Sequence, residues 1–135
     1  MIVVDTNIIG YLYLSSERSA RAEAALLLDP EWCAPLLWRS ELRNVLTFYI
    51  RKNLLSLPEA QQIMDEATLL MQGHEYDIVS HQVLSLAAES MCSAYDCEFV
   101  ALAKDLNVSL ITNDKQLLAQ FPKVAQSLEQ FTGNL

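Results

Sequence analysis

Met1-Ile2-Val3-Val4-Asp5-Thr6-Asn7 opens the chain, and its reading decides the fold. An apolar, β-branched run ends abruptly in Asp-Thr-Asn. That pattern predicts a short buried strand whose last residue presents a carboxylate just where a helix begins. In a parallel α/β sheet, ligands bind outside the carboxyl ends of the strands, so Asp5 would stand at the mouth of a site. Read alone, the same stretch is also ordinary helix capping by Asp5 or Thr6. The two readings part only if other acids converge on Asp5.

A second run, Val108-Ser109-Leu110-Ile111, ends in Thr112-Asn113-Asp114. It predicts a second buried strand closing in the same chemistry, on the same rim of a parallel sheet. Asp114 too has a capping reading, ahead of a short helix over 115–120. Between these strands the pattern alternates. Helices are expected over 8–14, 17–28, 36–52, 58–71, 80–90 and 93–106. Further short strands are expected at Trp32-Cys33-Ala34, over 75–79 and at Val124-Ala125. Pro58 suits a first helical position, and Asn107 a helix stop. Strands alternating with helices predict a three-layer α/β/α sandwich with a mostly parallel central sheet. At 135 residues the chain reads as one domain, 1–135.

Glu41 is the most informative single residue. On the 36–52 helix, the apolar residues Leu42, Val45, Leu46 and Tyr49 recur at helical spacing. The neighbours of Glu41 one turn away are Leu37, Trp38, Asn44 and Val45, none of them basic. Arg39 and Arg43 fall on roughly the opposite side. A carboxylate drawn toward the core unpaired costs several kcal/mol or stays protonated. The plainer alternative is that the stripe's edge reaches water there. Asp96 lies in Ser93-Ala94-Tyr95-Asp96, which matches the S-x-x-D capping box. The strongly apolar helix behind it must pack on the sheet and point Asp96 at one rim.

Four carboxylates meeting at one rim raise each other's pKa, and a divalent cation relieves that repulsion. All-oxygen ligands favour a hard ion such as Mg²⁺, which takes a few carboxylates and keeps waters. Such an ion polarises a phosphoryl oxygen and generates hydroxide from water near neutral pH. His74 and His81 read as surface residues. There is no G-x-S-x-G, no Cys–His pair of recognisable type and no glycine-rich phosphate loop.

Composition sets limits on the reading. Nine basic against 17 acidic residues give a net charge of −8, unlike a protein that holds nucleic acid by a broad basic surface. A metal-dependent enzyme remains compatible, because bound cations reverse local charge. The 52% hydrophobic content is rich for a monomer and predicts apolar surface buried against a partner or a second copy. No apolar run approaches a membrane span, and Asp5 interrupts the first run too early for a signal peptide. Three cysteines without zinc-like spacing predict small hydrophobes in a reduced cytoplasmic setting.

The ordered set Val-Val-Asp5-Thr-Asn, Ser40-Glu41-Leu-Arg-Asn-Val-Leu, Ser93-Ala-Tyr-Asp96 running into Phe-Val-Ala-Leu-Ala, and Leu-Ile-Thr-Asn-Asp114 resembles the PIN-domain nucleases. The similarity is greatest to small toxin ribonucleases of VapC type, and it covers nearly the whole chain. The resemblance implies a parallel sheet flanked by helices with an acidic pocket at its carboxyl rim. It implies Mg²⁺- or Mn²⁺-dependent cleavage of RNA, leaving a 5′-phosphate and a 3′-hydroxyl. By position, Asp5, Glu41, Asp96 and Asp114 are the catalytic and metal-binding acids. Thr112 and Asn113 would support Asp114, with Thr6 and Asn7 shaping the pocket beside Asp5. A homodimer is implied, and a small antitoxin whose tail occupies the pocket, with Leu54, Leu55, Leu57, Leu69, Leu70 and Met71 as compatible apolar surface. Specificity would lie in surface loops and basic side chains such as Arg39, Arg43, Arg51 or Lys52. Two other classes fit parts of the pattern. A haloacid-dehalogenase-like phosphotransferase would use Asp5 as nucleophile but wants an acid where Asn7 stands, and a non-catalytic interaction module would have no need of four intact acids.

Overall fold

The computed structural model describes residues 1–133. Five short strands alternate with eight helices: β1 Ile2–Val4, α1 Thr6–Tyr13, α2 Ser19–Leu28, β2 Trp32–Pro35, α3 Leu37–Arg51, α4 Leu57–Met71 and β3 Glu75–Tyr76. There follow α5 Ser80–Ala88, α6 Ala94–Leu106, β4 Leu110–Ile111, α7 Lys115–Gln120, β5 Ala125–Gln126 and α8 Leu128–Thr132. The sheet runs β3-β2-β1-β4-β5 and every pairing is parallel. The α/β expectation holds. The helix α8 was not anticipated: it is one short turn-and-a-half, opened by a Ser127/Gln130 capping box, and too brief to show periodicity. The strands over 75–79 and 108–111 are shorter than expected, pairing only at 75–76 and 110–111.

Strand order fixes where the helices go. The chain steps from β1 to β2 to β3 in one direction, then crosses back to β4 and on to β5. Right-handed crossovers therefore place α1–α4 on one face and α5–α7 on the other. Contacts agree, since α1 packs on α2 and α3, α3 on α4, and α5 on α6. Helix α6 is the central element of its face. Cys97, Phe99, Val100, Ala101, Leu102 and Ala103 are all buried, and it lies against β1, β2 and β4. Asn107 ends it in the left-handed conformation at φ 56°, as a C-terminal Asn readily does.

The phase of α3 agrees with the sequence expectation. Its fully buried members are Trp38, Leu42 and Leu46, with Val45 and Tyr49 half-buried against the core beside them. Glu41 lies half-buried at the margin of this stripe. Met71 is fully buried and so belongs to the core, not to a partner-facing surface, whereas Leu54, Leu57 and Leu69 are more than half exposed. Among the described residues no helix is long and apolar enough to cross a membrane.

The start of α3 is fastened to β3 by Glu75. Its carboxylate accepts from Trp38 Nε1 at 2.8 Å and from Arg39 Nε and Nη2 at 2.6 Å each. Arg39 holds the Glu75 carboxyl below its ordinary value, with Trp38 acting in the same direction and burial opposing. Because the Trp38 side chain is buried, Glu75→Ala leaves its N–H without a partner, at a cost of about 1–3 kcal/mol. A lowered folded-state pKa means the Glu75 contribution is complete above the ordinary value of 4.5 and fades as pH falls through the depressed one. Urea melts should show a lower midpoint for Glu75→Ala at pH 7, with the gap to wild type narrowing toward pH 3.

Candidate active site

The reversal of strand order falls between β1 and β4, which is where an open α/β sheet forms its ligand crevice. Val3 pairs with Leu110 and Val4 with Ile111. The next step of this register sets Asp5 against Thr112. The Asp5 N–H donates to the Ile111 carbonyl at 3.0 Å. The Thr112 hydroxyl donates to Asp5 Oδ2 at 2.7 Å and also accepts from the Asp114 N–H at 3.1 Å. One buried threonine thus ties both strand ends together.

Asp5 is the N-cap of α1, its Oδ1 accepting from the Thr6 N–H at 2.8 Å. Capping and a site role are therefore not exclusive here. Of the two candidate caps, Asp5 and Thr6, it is Asp5 that serves. The Thr6 hydroxyl reaches across to α3 and donates to Glu41 Oε1 at 2.6 Å. Asp96 occupies the third position of α6, and the Ser93 hydroxyl accepts from its N–H at 3.1 Å. The reciprocal half of the box, formed at Ser56/Glu59 and Ser127/Gln130, is not made here. Asp114 caps α7, accepting from the Leu117 N–H at 3.0 Å.

These four carboxylates line one cleft of ≈ 230 Å³, together with Thr6, Asn7, Asn44 and Val45. Asn113 does not join them. Its side chain turns to α8, accepting from the Leu128 N–H at 2.9 Å, so it supports the C-terminal helix and not Asp114. Asn44 was not among the candidate site residues. The signal was present, since it sits one turn along α3 from Glu41. His74 lies half-buried with Nδ1 4.0 Å from Cys33 Sγ, and His81 is exposed; neither lines the cleft. A larger groove of ≈ 630 Å³ opens between the ends of α1 and α3 and helix α4, but its polar lining, Tyr13, Ser15, Tyr49, Glu59, Gln62 and Glu66, brings two carboxylates where the smaller cleft brings four. The chemistry belongs to the smaller cleft.

Burial is the first cause that raises the Asp5 carboxyl, to about 6, with the Glu41 and Asp96 charges adding to it against the hydrogen bonds from Thr112 and Thr6. Burial also raises Glu41, opposed by the Thr6 hydroxyl and reinforced by Asp96 and Glu98. Asp96 is raised by burial and then by Asp114, with Ser93 opposing. Asp5, Glu41 and Asp96 are each raised in part by another acid of the cleft, which is convergence expressed as electrostatics. Among the described residues, no three His, Cys, Asp or Glu side chains are close enough to form a closed ligand set by themselves. The carboxylates face one another around the cleft instead. An all-oxygen donor set of that openness fits a hard cation that keeps part of its water shell.

The fold and this cleft define an α/β protein with an acidic site at the switch point of its sheet. A PIN domain model matches residues 2–125, and the chain belongs to the PIN domain family. It is 33% identical over 124 residues to Ribonuclease VapC3 of Pyrobaculum aerophilum, covering 90% of this chain and 95% of that protein. Among solved structures it is similar to PAE2754 from Pyrobaculum aerophilum, with a TM-score of 0.77 and 18% identity over 97% of this chain and 85% of that one. A toxin–antitoxin complex from Klebsiella pneumoniae gives a TM-score of 0.68 and 20% identity over 95% of this chain and 98% of that one. The structural likenesses bear on the fold.

The raised Asp5 value has a direct consequence. A folded-state pKa above the unfolded one favours folding at low pH, and that contribution is lost as pH rises from about 4 through about 6. The loss is on the order of 3 kcal/mol. In EDTA at pH 7.5, Asp5→Asn should therefore melt up to about 10 °C above wild type, with the two curves converging near pH 4. Calorimetry across that range checks it, and a variant less stable than wild type at every pH would contradict the electrostatic account.

Proposed function

We propose that residues 1–135 form one nuclease domain that hydrolyses RNA phosphodiester bonds with the help of Mg²⁺ or Mn²⁺, as the toxin of a toxin–antitoxin pair. The observation that carries the reading is the meeting of Asp5, Glu41, Asp96 and Asp114 in one cleft, in a chain related along nearly its whole length to a ribonuclease. Asp5, Asp96 and Asp114 would hold the cation, with Glu41 as a further ligand or acting through water. A bound divalent cation supplies a Lewis acid for a phosphoryl oxygen and lowers the pKa of an attacking water.

The chain's own residues prepare that chemistry. Thr112 fixes Asp5 by one oxygen while the first N–H of α1 fixes the other, so the carboxylate cannot rotate away from the rim. Thr6 does the same for one oxygen of Glu41. Both acids are thereby oriented before any ligand arrives, so little is lost in reorganising them. Their mutual repulsion, already visible in the raised Asp5 value, is relieved by positive charge in the cleft.

A protein antitoxin and a second copy of the chain are the partners proposed. The neighbour from Klebsiella pneumoniae is a toxin–antitoxin complex, and the exposed Leu54, Leu57 and Leu69 supply apolar surface for such contacts. An arginine from the partner would suit the acidic cleft. A cytoplasmic setting, in which the three free cysteines stay reduced, belongs to the same reading.

In Mn²⁺ the wild type should cleave single-stranded or structured RNA, with EDTA abolishing the activity. Asp5→Asn and Asp114→Asn should each lower the rate at least roughly a hundredfold, the scale of losing several kcal/mol of charge stabilisation. Mn²⁺ should raise the melting temperature of wild type more than that of either variant. Variants that cleave at the wild-type rate would sink the assignment. A monomer that forms no complex when co-expressed with the neighbouring open reading frame would remove the toxin role and leave the nuclease one.

A further inference from the structure

Helix α3 continues outward from the cleft, and this part of it is not used by the chemistry above. Glu41, Asn44, Phe48 and Lys52 follow one another at spacings of three, four and four residues, so they share one face. Glu41 and Asn44 line the acidic cleft. Phe48 is 55% exposed, and Lys52 Nζ lies 5.6 Å from the centroid of its ring. Arg51 is exposed at the same end. From Glu41 to Lys52 the face extends about 16 Å along the helix. Phe48 lies off the buried stripe of Trp38, Leu42 and Leu46, and its aromatic contact is an edge-on one with the neighbouring Tyr49 at 6.1 Å.

We infer that this face of α3 binds the single-stranded RNA that flanks the scissile phosphate, with Phe48 stacking on a base, Lys52 meeting a phosphate beyond it, and Asn44 donating to a backbone oxygen beside the cleft. The inference rests on the nuclease reading and adds a path for the substrate. Its chemistry answers a difficulty that the net charge of −8 creates. A polyanion approaching an acidic cleft needs attraction that the cleft itself does not offer, and stacking supplies it without charge. Among the described residues only Arg18 and Arg39 of the nine basic side chains are in salt bridges, so Lys52 is singled out by its place on the Glu41–Phe48 face. Arg39 is engaged by Glu75 and Arg18 by Glu129, and Arg21 donates to Thr132 and to the Gly133 carbonyl. Among the described residues, neither Arg51 nor Lys52 is paired with a carboxylate. The flexible Lys52 stem can carry its ammonium from the ring to a phosphate, leaving the ring free for a base.

The test measures KM and kcat on a single-stranded RNA oligonucleotide in Mn²⁺, together with the molar mass of each variant by light scattering. Phe48→Ala should raise KM roughly tenfold or more, the loss falling on KM rather than kcat, and Phe48→Trp should restore it. Lys52→Ala should raise KM and flatten its dependence on salt, by about 0.7 in the log–log slope. Leu27→Ala, an exposed apolar residue on α2, serves as the control and should match wild type. A Phe48→Ala enzyme with wild-type KM overturns the inference. So does a KM change that accompanies a change in molar mass, since the face would then join two copies of the chain. Wild-type protein that cleaves no RNA removes the nuclease reading, and this inference with it.

Discussion

The hydrogen bond from Thr112 to Asp5 is the interaction on which the site depends. It joins the ends of β1 and β4, the two strands between which the sheet reverses direction. A carboxylate 9% exposed at that point is costly, and it is tolerated because two donors and the α1 N-terminus face it. Thr112 also accepts from the Asp114 N–H, so the geometry of one acid is transmitted to the backbone of another. The sheet register, the cap of α1 and the placement of two candidate ligands are thus one arrangement.

Glu41 and Asp96 come to the same cleft from opposite layers, on α3 and α6. The sheet between them sets their separation. Helix α6 is buried through its middle, from Cys97 to Ala103, so the turn that carries Asp96 is anchored directly behind it. Helix α3 is pinned at its start by Trp38 and Glu75 and along its length by the Trp38–Leu42–Leu46 stripe. Rigid elements carry the acids, which is the condition for a preorganised site. The accompanying instability, an Asp5 carboxyl raised to about 6, comes first from burying a carboxylate and then from the like charges of Glu41 and Asp96, and it is the ordinary conflict between site and fold.

Much of this was legible in the sequence because the key residues sit at strand ends and helix starts, where local chemistry is distinctive. Val-Val-Asp5-Thr-Asn and Leu-Ile-Thr-Asn-Asp114 announced both the strands and the rim. Glu41 was marked by the absence of a basic partner at helical spacing. What was not legible is what depends on depth of burial or on distant contacts. The direction of the α3 stripe could be read, but only packing on the sheet makes Trp38 fully buried and leaves Val45 and Tyr49 half-buried. Asn113 stands in the same tripeptide as Thr112 and Asp114, yet its partner is the Leu128 N–H at the start of α8, a helix too short to announce itself. Thr6, one of two candidate caps, donates instead to Glu41, a contact spanning 35 residues.

The net charge also reads differently once the fold is known. Four of the 17 acidic residues line one cleft, where repulsion among them favours a cation, while Glu75 and Glu129 accept from Arg39 and Arg18 in structural pairs. The acidic total therefore mixes acids gathered around a site with acids that join elements, and as a sum it says little about the partner. What bears on a nucleic-acid partner is the local arrangement beside the cleft, where an exposed aromatic ring and an unpaired lysine follow Glu41 along one helix face. A protein that holds its substrate by stacking and a few phosphate contacts has no need of a basic surface, and an acidic cleft that admits RNA only with a cation present would couple substrate entry to metal binding.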